Sequence, residues 1–274
     1  MIGLITGSGF GDLAALTDQV PETVETDYGT VTVTRARWEG DHEVIFIPRH
    51  GSDHSIAPHL INYRANIAAL HAVGVRAVIA TAVSGAISPD YAMGDLVLVS
   101  DFLNFTHGRH DTFFDTVGSV RHTEMTTAYD PDLRALVKRS AESVGQPIVD
   151  GAVYSTFNGP RFESPAEIQM AERAGADLVG MTGYPEVVLA RELGLAYCSI
   201  AIVSNLAAGK NMAAGKGDEL SIPEIMAIIG AASPKVQAVI GASVKSYGDA
   251  LVDPAFQDLR MVRGEDGEQW EVSE

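Results

Sequence analysis

Two short segments carry side chains that are suited to holding a small polar heterocycle. Phe162 and Glu163 follow a turn at Gly159 and Pro160, and Asn205 ends the most apolar run of the chain. An aromatic face can stack on a flat ring, a carboxylate accepts a hydrogen bond from a ring N–H, and a carboxamide both donates and accepts. The alternative for Glu163 is a purely local role, because acidic residues are favoured in the first turn of a helix.

A second set of residues is suited to binding an anion. Glycines flank Ser8 just after the first apolar run, so that backbone N–H groups can approach a ligand; the alternative is a plain turn between a strand and a helix. Arg49 and His50 end a later run, and arginine offers phosphate a planar fork of donors; the alternative is an ion pair between Arg49 and one of the many carboxylates. A third polar turn, residues 81–85, can complete the cradle through its backbone. Together with the heterocycle-binding groups, these loops indicate a site where a purine nucleoside meets an anion.

Metal and nucleophile chemistry have little support in the sequence. The histidines form neither an H-E-x-x-H pattern nor a tight His/Cys cluster, so we expect no metal site. There is no G-x-S-x-G elbow. The single cysteine, Cys198, lies inside an apolar run, where we expect a buried small hydrophobic residue rather than a nucleophile.

The composition limits the partners of this chain. It has 274 residues, 46% of them hydrophobic, and a formal net charge of −17. Such a charge repels nucleic acid, and it also repels inorganic phosphate, so that a phosphate site requires local donors. The N-terminus has no basic leader and no apolar run approaches the length of a bilayer span, so we expect a cytoplasmic protein that contacts no membrane.

The elements that must position these groups alternate between apolar runs of strand length and helical patterns. We expect strands at residues 2–5, 43–47, 77–80, 96–99, 152–155, 178–180 and 196–204, and helices at residues 62–73, 131–144, 164–174, 185–193 and 222–244. Alternation of this kind predicts an α/β fold in which helices cover a mixed or parallel sheet and ligands bind just past the strand ends. We expect a single domain over residues 1–246, followed by an acidic C-terminal extension over residues 247–274.

From Gly3 to about Val244 the sequence resembles the trimeric purine nucleoside phosphorylase superfamily, in particular its methylthioadenosine/S-methyl-5′-thioinosine phosphorylase branch. The motifs that carry the resemblance are Gly-Ser-Gly-Phe at 7–10, Pro-Arg-His-Gly at 48–51, Asn-Tyr-Arg-Ala-Asn at 62–66, Gly-Pro-Arg-Phe at 159–162 and Met-Thr-Gly-Tyr-Pro-Glu at 181–186, with Leu-Ala-Arg at 189–191. The resemblance implies the nucleoside phosphorylase fold, with a mixed central sheet. It also implies cleavage of a purine nucleoside by inorganic phosphate, which is a co-substrate, without a metal or organic cofactor. Members form homotrimers with active sites at the subunit interfaces.

The resemblance also implies a role for each matching position. The phosphate site is expected at Ser8, Arg49, His50, Thr182 and the backbone of Ala82; the base pocket at Val83, Ser84, Phe162, Glu163 and Asn205; the ribose and 5′ group at Met181 and Ile222, with His122 lent to the neighbouring subunit. Among these, Asn205, Glu163 and His50 are the expected catalytic residues.

Glu163 and Asn205 are expected to select the base, and Ile222 the 5′ group. Branch members that select adenine typically have Asp in place of Asn205 and a small residue in place of Glu163, whereas the pair found here matches enzymes for 6-oxopurines. Phosphorylases of ordinary nucleosides have a histidine near the position of Ile222, whose apolar side chain suits a 5′-methylthio group. The combination predicts phosphorolysis of S-methyl-5′-thioinosine in purine salvage. The alternatives are a methylthioadenosine phosphorylase, a general inosine/guanosine phosphorylase, a nucleosidase that uses water, and a non-catalytic purine-binding protein.

Overall fold

The structure, a computed structural model, describes residues 1–10, 13–210, 221–249, 259–264 and 267–272, and beyond residue 247 only the backbone is described. All the expected strands and helices are present to within two residues at each end, except that the strand expected at residues 77–80 continues to residue 86 and the helix expected at residues 222–244 continues to residue 249. The strands are β1 (Ile2–Thr6), β2 (Leu16–Thr26), β3 (Gly29–Trp38), β4 (His42–Pro48), β5 (Ala77–Ala86), β6 (Leu96–Leu98), β7 (Asp101–Asn104), β8 (Arg121–His122), β9 (Val149–Asp150), β10 (Val153–Thr156), β11 (Leu178–Gly180), β12 (Ala196–Leu206), β13 (Leu259–Gly264) and β14 (Gly267–Val272); the helices are α1 (Tyr63–Ala72), α2 (Pro131–Ser143), α3 (Pro165–Arg173), α4 (Gly183–Glu192) and α5 (Ile222–Asp249).

A mixed sheet of eleven strands forms the centre of the fold, which confirms the predicted α/β class. Strands β4, β1, β5 and β12 lie side by side and run parallel, and the β2–β3 hairpin extends this part of the sheet beyond β4. Strands β11, β10 and β7 form a second parallel set. The two sets join where β11 pairs antiparallel with the end of β5, so that their carboxyl ends meet. The polar residues that follow both sets of strands therefore gather in one place.

The expectation of a polar turn at residues 81–85 is wrong. These residues belong to β5, which continues to Ala86 because β12 pairs alongside it as far as Leu206. Gly85 also pairs with Val179 of β11, so the segment is a strand between two neighbours rather than a loop. Its backbone groups are therefore largely engaged in the sheet and are less open to an anion than a turn is.

Helices cover both faces of the sheet, and the starts of three of them are encoded locally. Asn62, Asp130 and Ser164 each accept a hydrogen bond from a backbone N–H in the first turn of the helix that follows, and Ser164 forms a full capping box with Glu167. Helices α1 and α4 contribute buried residues to the core on one face, and helices α2 and α5 to the core on the other. Cys198 is fully buried in the second core, as its position in an apolar run predicts.

Helix α5 corrects the expectation that no segment has the length and composition of a membrane span. Residues Ile222–Tyr247 meet that criterion, with a mean hydropathy of 1.5. Its buried residues recur at intervals of three or four, among them Ile225, Ile229, Val236 and Ile240, and they pack into the core. The hydropathy is therefore accounted for by an amphipathic helix of the core.

Part of the C-terminal extension forms a hairpin. Strands β13 and β14 pair antiparallel, and β13 also pairs with β8 through the backbones of Arg121 and His122. Residues 250–258, 265–266 and 273–274 of the extension lie outside the described residues.

Candidate functional site

The carboxyl ends of the two strand sets surround a cavity of about 620 Å³. Most of the residues expected from the sequence lie on its wall, namely Ser8, His50, Val83, Ser84, Phe162, Glu163, Met181, Thr182, Asn205 and Ile222. The volume is in the range of pockets that enclose a small organic ligand. The structure therefore brings groups that are dispersed along the sequence to one cavity.

Ser8 and two histidines lie together at one end of the cavity. The loop that carries Ser8 is held in place by a hydrogen bond of 3.1 Å from the Gly7 N–H to Thr81 Oγ1. Ser8 Oγ lies 3.0 Å from His54 Nε2, and the ring of His54 lies 4.7 Å from the ring of His50. Thr182, at the start of α4, lines the same cavity. This end of the cavity presents hydroxyl and imidazole groups, which suit a tetrahedral oxyanion.

The protonation of His50 is set by a backbone carbonyl. His50 Nδ1 lies 2.8 Å from the carbonyl oxygen of Ile56, which can only accept, so Nδ1 carries the proton. Burial lowers the pKa of His50, and the neighbouring Arg49 and His54 lower it further. The neutral ring consequently presents the lone pair of Nε2, which can accept a hydrogen bond from the hydroxyl of a hydrogen phosphate.

Arg49 does not offer its fork of donors to the cavity, and this part of the expectation is corrected. Its Nε and Nη2 donate to both oxygens of Glu186 at 2.8 and 2.7 Å, and its Nη1 donates to the carbonyl oxygen of Thr81 at 2.8 Å. Both side chains of the pair are almost completely buried. Arg49 therefore forms an ion pair, which was the alternative expected from the sequence. Its partner Glu186 is buried and also accepts a hydrogen bond from Tyr197. The charge of Arg49 is thus balanced inside the protein.

Ala82 and His122 also lie away from the cavity wall. Ala82 is buried within β5, two residues before Ser84. His122 is exposed in β8, where its backbone pairs with β13. Neither residue contributes a side chain to the cavity of its own chain.

Glu163 is a buried carboxylate with an open hydrogen-bonding position. The residue is 9% exposed, and its Oε1 has no hydrogen-bond partner among the described residues. The nearby Arg161 is engaged in a bidentate pair with Glu167. Burial therefore raises the pKa of Glu163 above its ordinary value, and the charge of Glu167 adds to the effect. The local role considered for Glu163, in the first turn of α3, is taken by Glu167 instead.

Asn205 lies on the cavity wall at the end of β12, next to a β-bulge. Its Oδ1 accepts a hydrogen bond of 2.7 Å from Ser204 Oγ, and its Nδ2 donates one of 2.8 Å to the carbonyl oxygen of Leu206. Phe162, 41% exposed, presents its ring to the same cavity. The base-binding groups expected from the sequence therefore lie within one pocket.

The remaining wall is formed by Met181 and by the start of α5. A side chain at Gly159 would lie 2.4 Å from Met181 Sδ, so only glycine leaves room for the methionine. Ile222 lines the cavity together with Ile225, Met226 and Ile229. The spacing of these four residues is that of one helical face, a pattern from which the sequence alone could have identified the other three.

Arg109 connects two loops of the cavity, and nothing in the spacing around it singles it out. Its guanidinium donates to the carbonyl oxygens of Met181 and Asn158 at 2.9 and 3.1 Å, and also to that of Tyr184. Asn158 in turn exchanges two hydrogen bonds of 3.1 Å with the backbone of His107. Arg109 therefore fixes the loops that carry Met181 and the Gly159–Glu163 segment relative to each other.

Comparison with known proteins places the chain in a family. The model of the phosphorylase superfamily matches residues 1–245. The chain is 47% identical over 209 residues to a probable 6-oxopurine nucleoside phosphorylase of Moorella thermoacetica, covering 76% of this chain and 80% of that one. It is also 47% identical over 212 residues to a probable S-methyl-5′-thioinosine phosphorylase of Methanopyrus kandleri, covering 76% and 79%. A solved structure, methylthioadenosine phosphorylase from Schistosoma mansoni in complex with adenine, superposes with a TM-score of 0.83 at 30% identity, covering 90% and 91%.

Proposed function

The chain belongs to the phosphorylase superfamily, and from this premise we propose that its substrate is a 5′-methylthio nucleoside of a 6-oxopurine, S-methyl-5′-thioinosine. The relatives are purine and methylthio-nucleoside phosphorylases, and the chain is an enzyme of this type. The products are the free purine base and 5-methylthioribose 1-phosphate. The choice of base and the choice of 5′ group are supported by separate parts of the cavity.

The presence of Glu163 and Asn205 on the wall of one cavity is the observation that supports the choice of base. A 6-oxopurine has a donor at N1 and an acceptor at O6, which match the open oxygen of Glu163 and an amide N–H of Asn205. Adenine has an acceptor at N1 and a donor at N6, so both contacts are mismatched. A wrongly paired buried polar group costs about 1–3 kcal/mol, or more when it is charged, which is enough for a clear preference.

Bond cleavage requires that charge on the departing base be stabilised. As the bond from C1′ to N9 stretches, the ribose becomes an oxocarbenium-like cation and negative charge grows on the purine. Asn205 donates to that charge, and Glu163 holds N1–H and thereby orients the ring. Catalysis of this kind consists of positioning and electrostatic stabilisation, without a covalent enzyme intermediate or a cofactor.

Phosphate is proposed to occupy the end of the cavity formed by Ser8, His50 and Thr182. Arg49 is not among the proposed phosphate contacts, because its Nε and Nη2 donate to Glu186. Hydrogen bonds therefore hold the anion, with His50 accepting from a phosphate hydroxyl through Nε2. Phosphate then attacks C1′ on the face opposite the base.

The apolar start of α5 supports the 5′-methylthio group. Ile222 and Met226 are half exposed on the cavity, and Ile225 lies behind them. These side chains provide dispersion contacts to a thioether but no partner for a 5′-hydroxyl. We extend the proposal to a cytoplasmic homotrimer in which the exposed His122 contributes to the site of a neighbouring subunit.

The test is phosphorolysis of S-methyl-5′-thioinosine, S-methyl-5′-thioadenosine and inosine, side by side, with and without phosphate. We expect phosphate-dependent cleavage with the highest kcat/KM for S-methyl-5′-thioinosine. A preference for the adenine nucleoside would refute the base assignment and favour the activity named for the Schistosoma enzyme. A preference for inosine would refute the 5′ assignment, and turnover without phosphate would indicate a nucleosidase.

A further inference from the structure

Ser204 occupies an irregular position in the strand that ends at the base pocket. Strand β12 pairs regularly with β5 as far as Val203, opposite Ser84, and pairing resumes with Asn205 opposite Gly85. Ser204 is therefore the extra residue of a β-bulge, and a bulge changes the direction of the side chains that follow it. Ser204 is 1% exposed, and it lies on the cavity wall directly before Asn205.

The hydroxyl of Ser204 and the carbonyl of Leu206 together hold the amide of Asn205. Ser204 Oγ lies 2.7 Å from Asn205 Oδ1 and 3.3 Å from the carbonyl oxygen of Ser84. A hydroxyl has one proton, and the shorter contact to Oδ1 is the stronger bond. At the other end of the amide, Nδ2 donates to the Leu206 carbonyl at 2.8 Å. A reversed amide would place Oδ1 against that carbonyl, with two acceptors facing each other.

This arrangement defines what Asn205 can offer to a base. A carboxamide has two N–H donors, and one of them is used by the Leu206 carbonyl. Its oxygen is occupied by the hydroxyl of Ser204. The second N–H is therefore the group that Asn205 presents to a ligand, and it fits an acceptor such as O6.

We propose that Ser204 is a specificity-determining residue that acts through Asn205. Its hydroxyl fixes the amide as a donor, so that the enzyme reads the oxygen at position 6 of the purine and rejects an amino group there. The proposal rests on the proposed base preference and deepens it. Without the hydroxyl, Oδ1 loses its anchor, and the Leu206 carbonyl alone opposes a rotation of the amide that presents its oxygen to an amino group.

The experiment compares the ratio of kcat/KM for S-methyl-5′-thioinosine to that for S-methyl-5′-thioadenosine in wild type, Ser204→Ala and Ser204→Thr. We expect Ser204→Ala to lower the ratio by about tenfold, the effect of one buried hydrogen bond. Ser204→Thr retains the hydroxyl and is expected to keep the ratio within about twofold of wild type. Ser204→Cys, which has a similar shape but a weak S–H donor, is expected to lower the ratio and provides a second test should the alanine variant fail to fold.

Ser199→Ala is the matched control, since Ser199 is a buried serine of the same strand that does not line the cavity. Its ratio should equal that of wild type. A purely structural role for Ser204 would lower both rates equally in Ser204→Ala, and an unchanged ratio would overturn the assignment. If wild type itself prefers the 6-amino nucleoside, the proposed substrate is refuted instead, so the two failures are distinguishable.

Discussion

Replacing Glu163 by Gln is expected to make the protein more stable and less active on 6-oxopurine nucleosides. In the free protein this carboxylate is 9% exposed, one of its oxygens has no hydrogen-bond partner among the described residues, and Arg161 is engaged by Glu167. An unsatisfied buried group costs about 1–3 kcal/mol and a charged one more. Gln has the same shape without the charge. We expect the free energy of unfolding to rise by about 1 kcal/mol, which corresponds to about 2–4 °C in Tm for a chain of this size.

The stability gained by Glu163→Gln relative to wild type should increase as the pH rises. Burial raises the pKa of Glu163 above its ordinary value of 4.5, so the folded protein binds this proton more tightly than the unfolded chain does. Wild type therefore loses stability as the pH rises from that value through the folded pKa, whereas the Gln variant has no such group. The difference in Tm is expected to grow as the pH rises through the folded pKa and to disappear as the pH falls towards 4.5.

The same substitution should alter the selection of the base. A neutral amide is a weaker acceptor for N1–H than a carboxylate, and it can donate to N1 of adenine. We expect kcat/KM for S-methyl-5′-thioinosine to fall by about tenfold, with no corresponding loss for S-methyl-5′-thioadenosine. The assays are thermal unfolding across pH and steady-state phosphorolysis of both nucleosides.

Glu167→Gln is the control, because Glu167 lies in the first turn of α3, four residues after Glu163, but has different contacts. It pairs with Arg161 and closes the capping box with Ser164, contacts that lower its pKa to about 2. This variant should lower Tm and leave the ratio of the two nucleosides unchanged. A Glu163→Gln protein with unaltered Tm at neutral pH, or with an unaltered nucleoside ratio, would refute the reasoning about the buried carboxylate.

Three further substitutions test other parts of the site. Asn205→Asp should lower kcat/KM for S-methyl-5′-thioinosine by about tenfold or more and raise the relative rate on the adenine nucleoside, because the N–H that faces O6 is replaced by an acceptor. The base assignment would be contradicted if kcat/KM changed by the same factor for both nucleosides. Ile222→His should raise kcat/KM for inosine relative to S-methyl-5′-thioinosine by about tenfold, through a bond to the 5′-hydroxyl, and an unchanged ratio would place the 5′ group elsewhere. Glu186→Gln leaves the buried charge of Arg49 without its counter-ion and should cost about 3–5 kcal/mol of unfolding free energy in chemical denaturation, whereas a loss below about 1 kcal/mol would show that the pair is dispensable for folding.

The sequence was sufficient for features that depend on near neighbours. Apolar periodicity predicted the buried strands and all five described helices, since each pattern reflects a single element against the core. The β2–β3 hairpin is absent from the expected strands. Residues of β2 are largely exposed, but buried and exposed positions alternate along β3, a pattern from which the sequence alone could have identified that strand. The expectation of a turn at residues 81–85 fails because the strands that pair with this segment, β11 and β12, lie far away along the chain.

The identity of the groups at the base end was likewise contained in the sequence. Glu163 and Asn205 have donor and acceptor properties that hold wherever they are placed, so their match to a 6-oxopurine could be predicted from residue type once the resemblance aligned them. Residue type alone does not show which groups surround these two side chains. Only the structure identified the bulge at Ser204 that fixes the amide and the burial that raises the pKa of the carboxylate.

The long-range contacts were decided by the tertiary structure alone. Arg49 finds its partner Glu186 137 positions away, and Arg109 reaches carbonyls of two loops that follow different strands. A hydrogen-bonding group binds the complementary group that the fold brings within about 3 Å, and its preference for that partner is greatest where water is excluded. Spacing along the chain contains neither the distance nor the exclusion of water. The sequence by itself therefore determined which chemical groups are available to the site, and the packing of the two strand sets determined which of them remain free for a ligand.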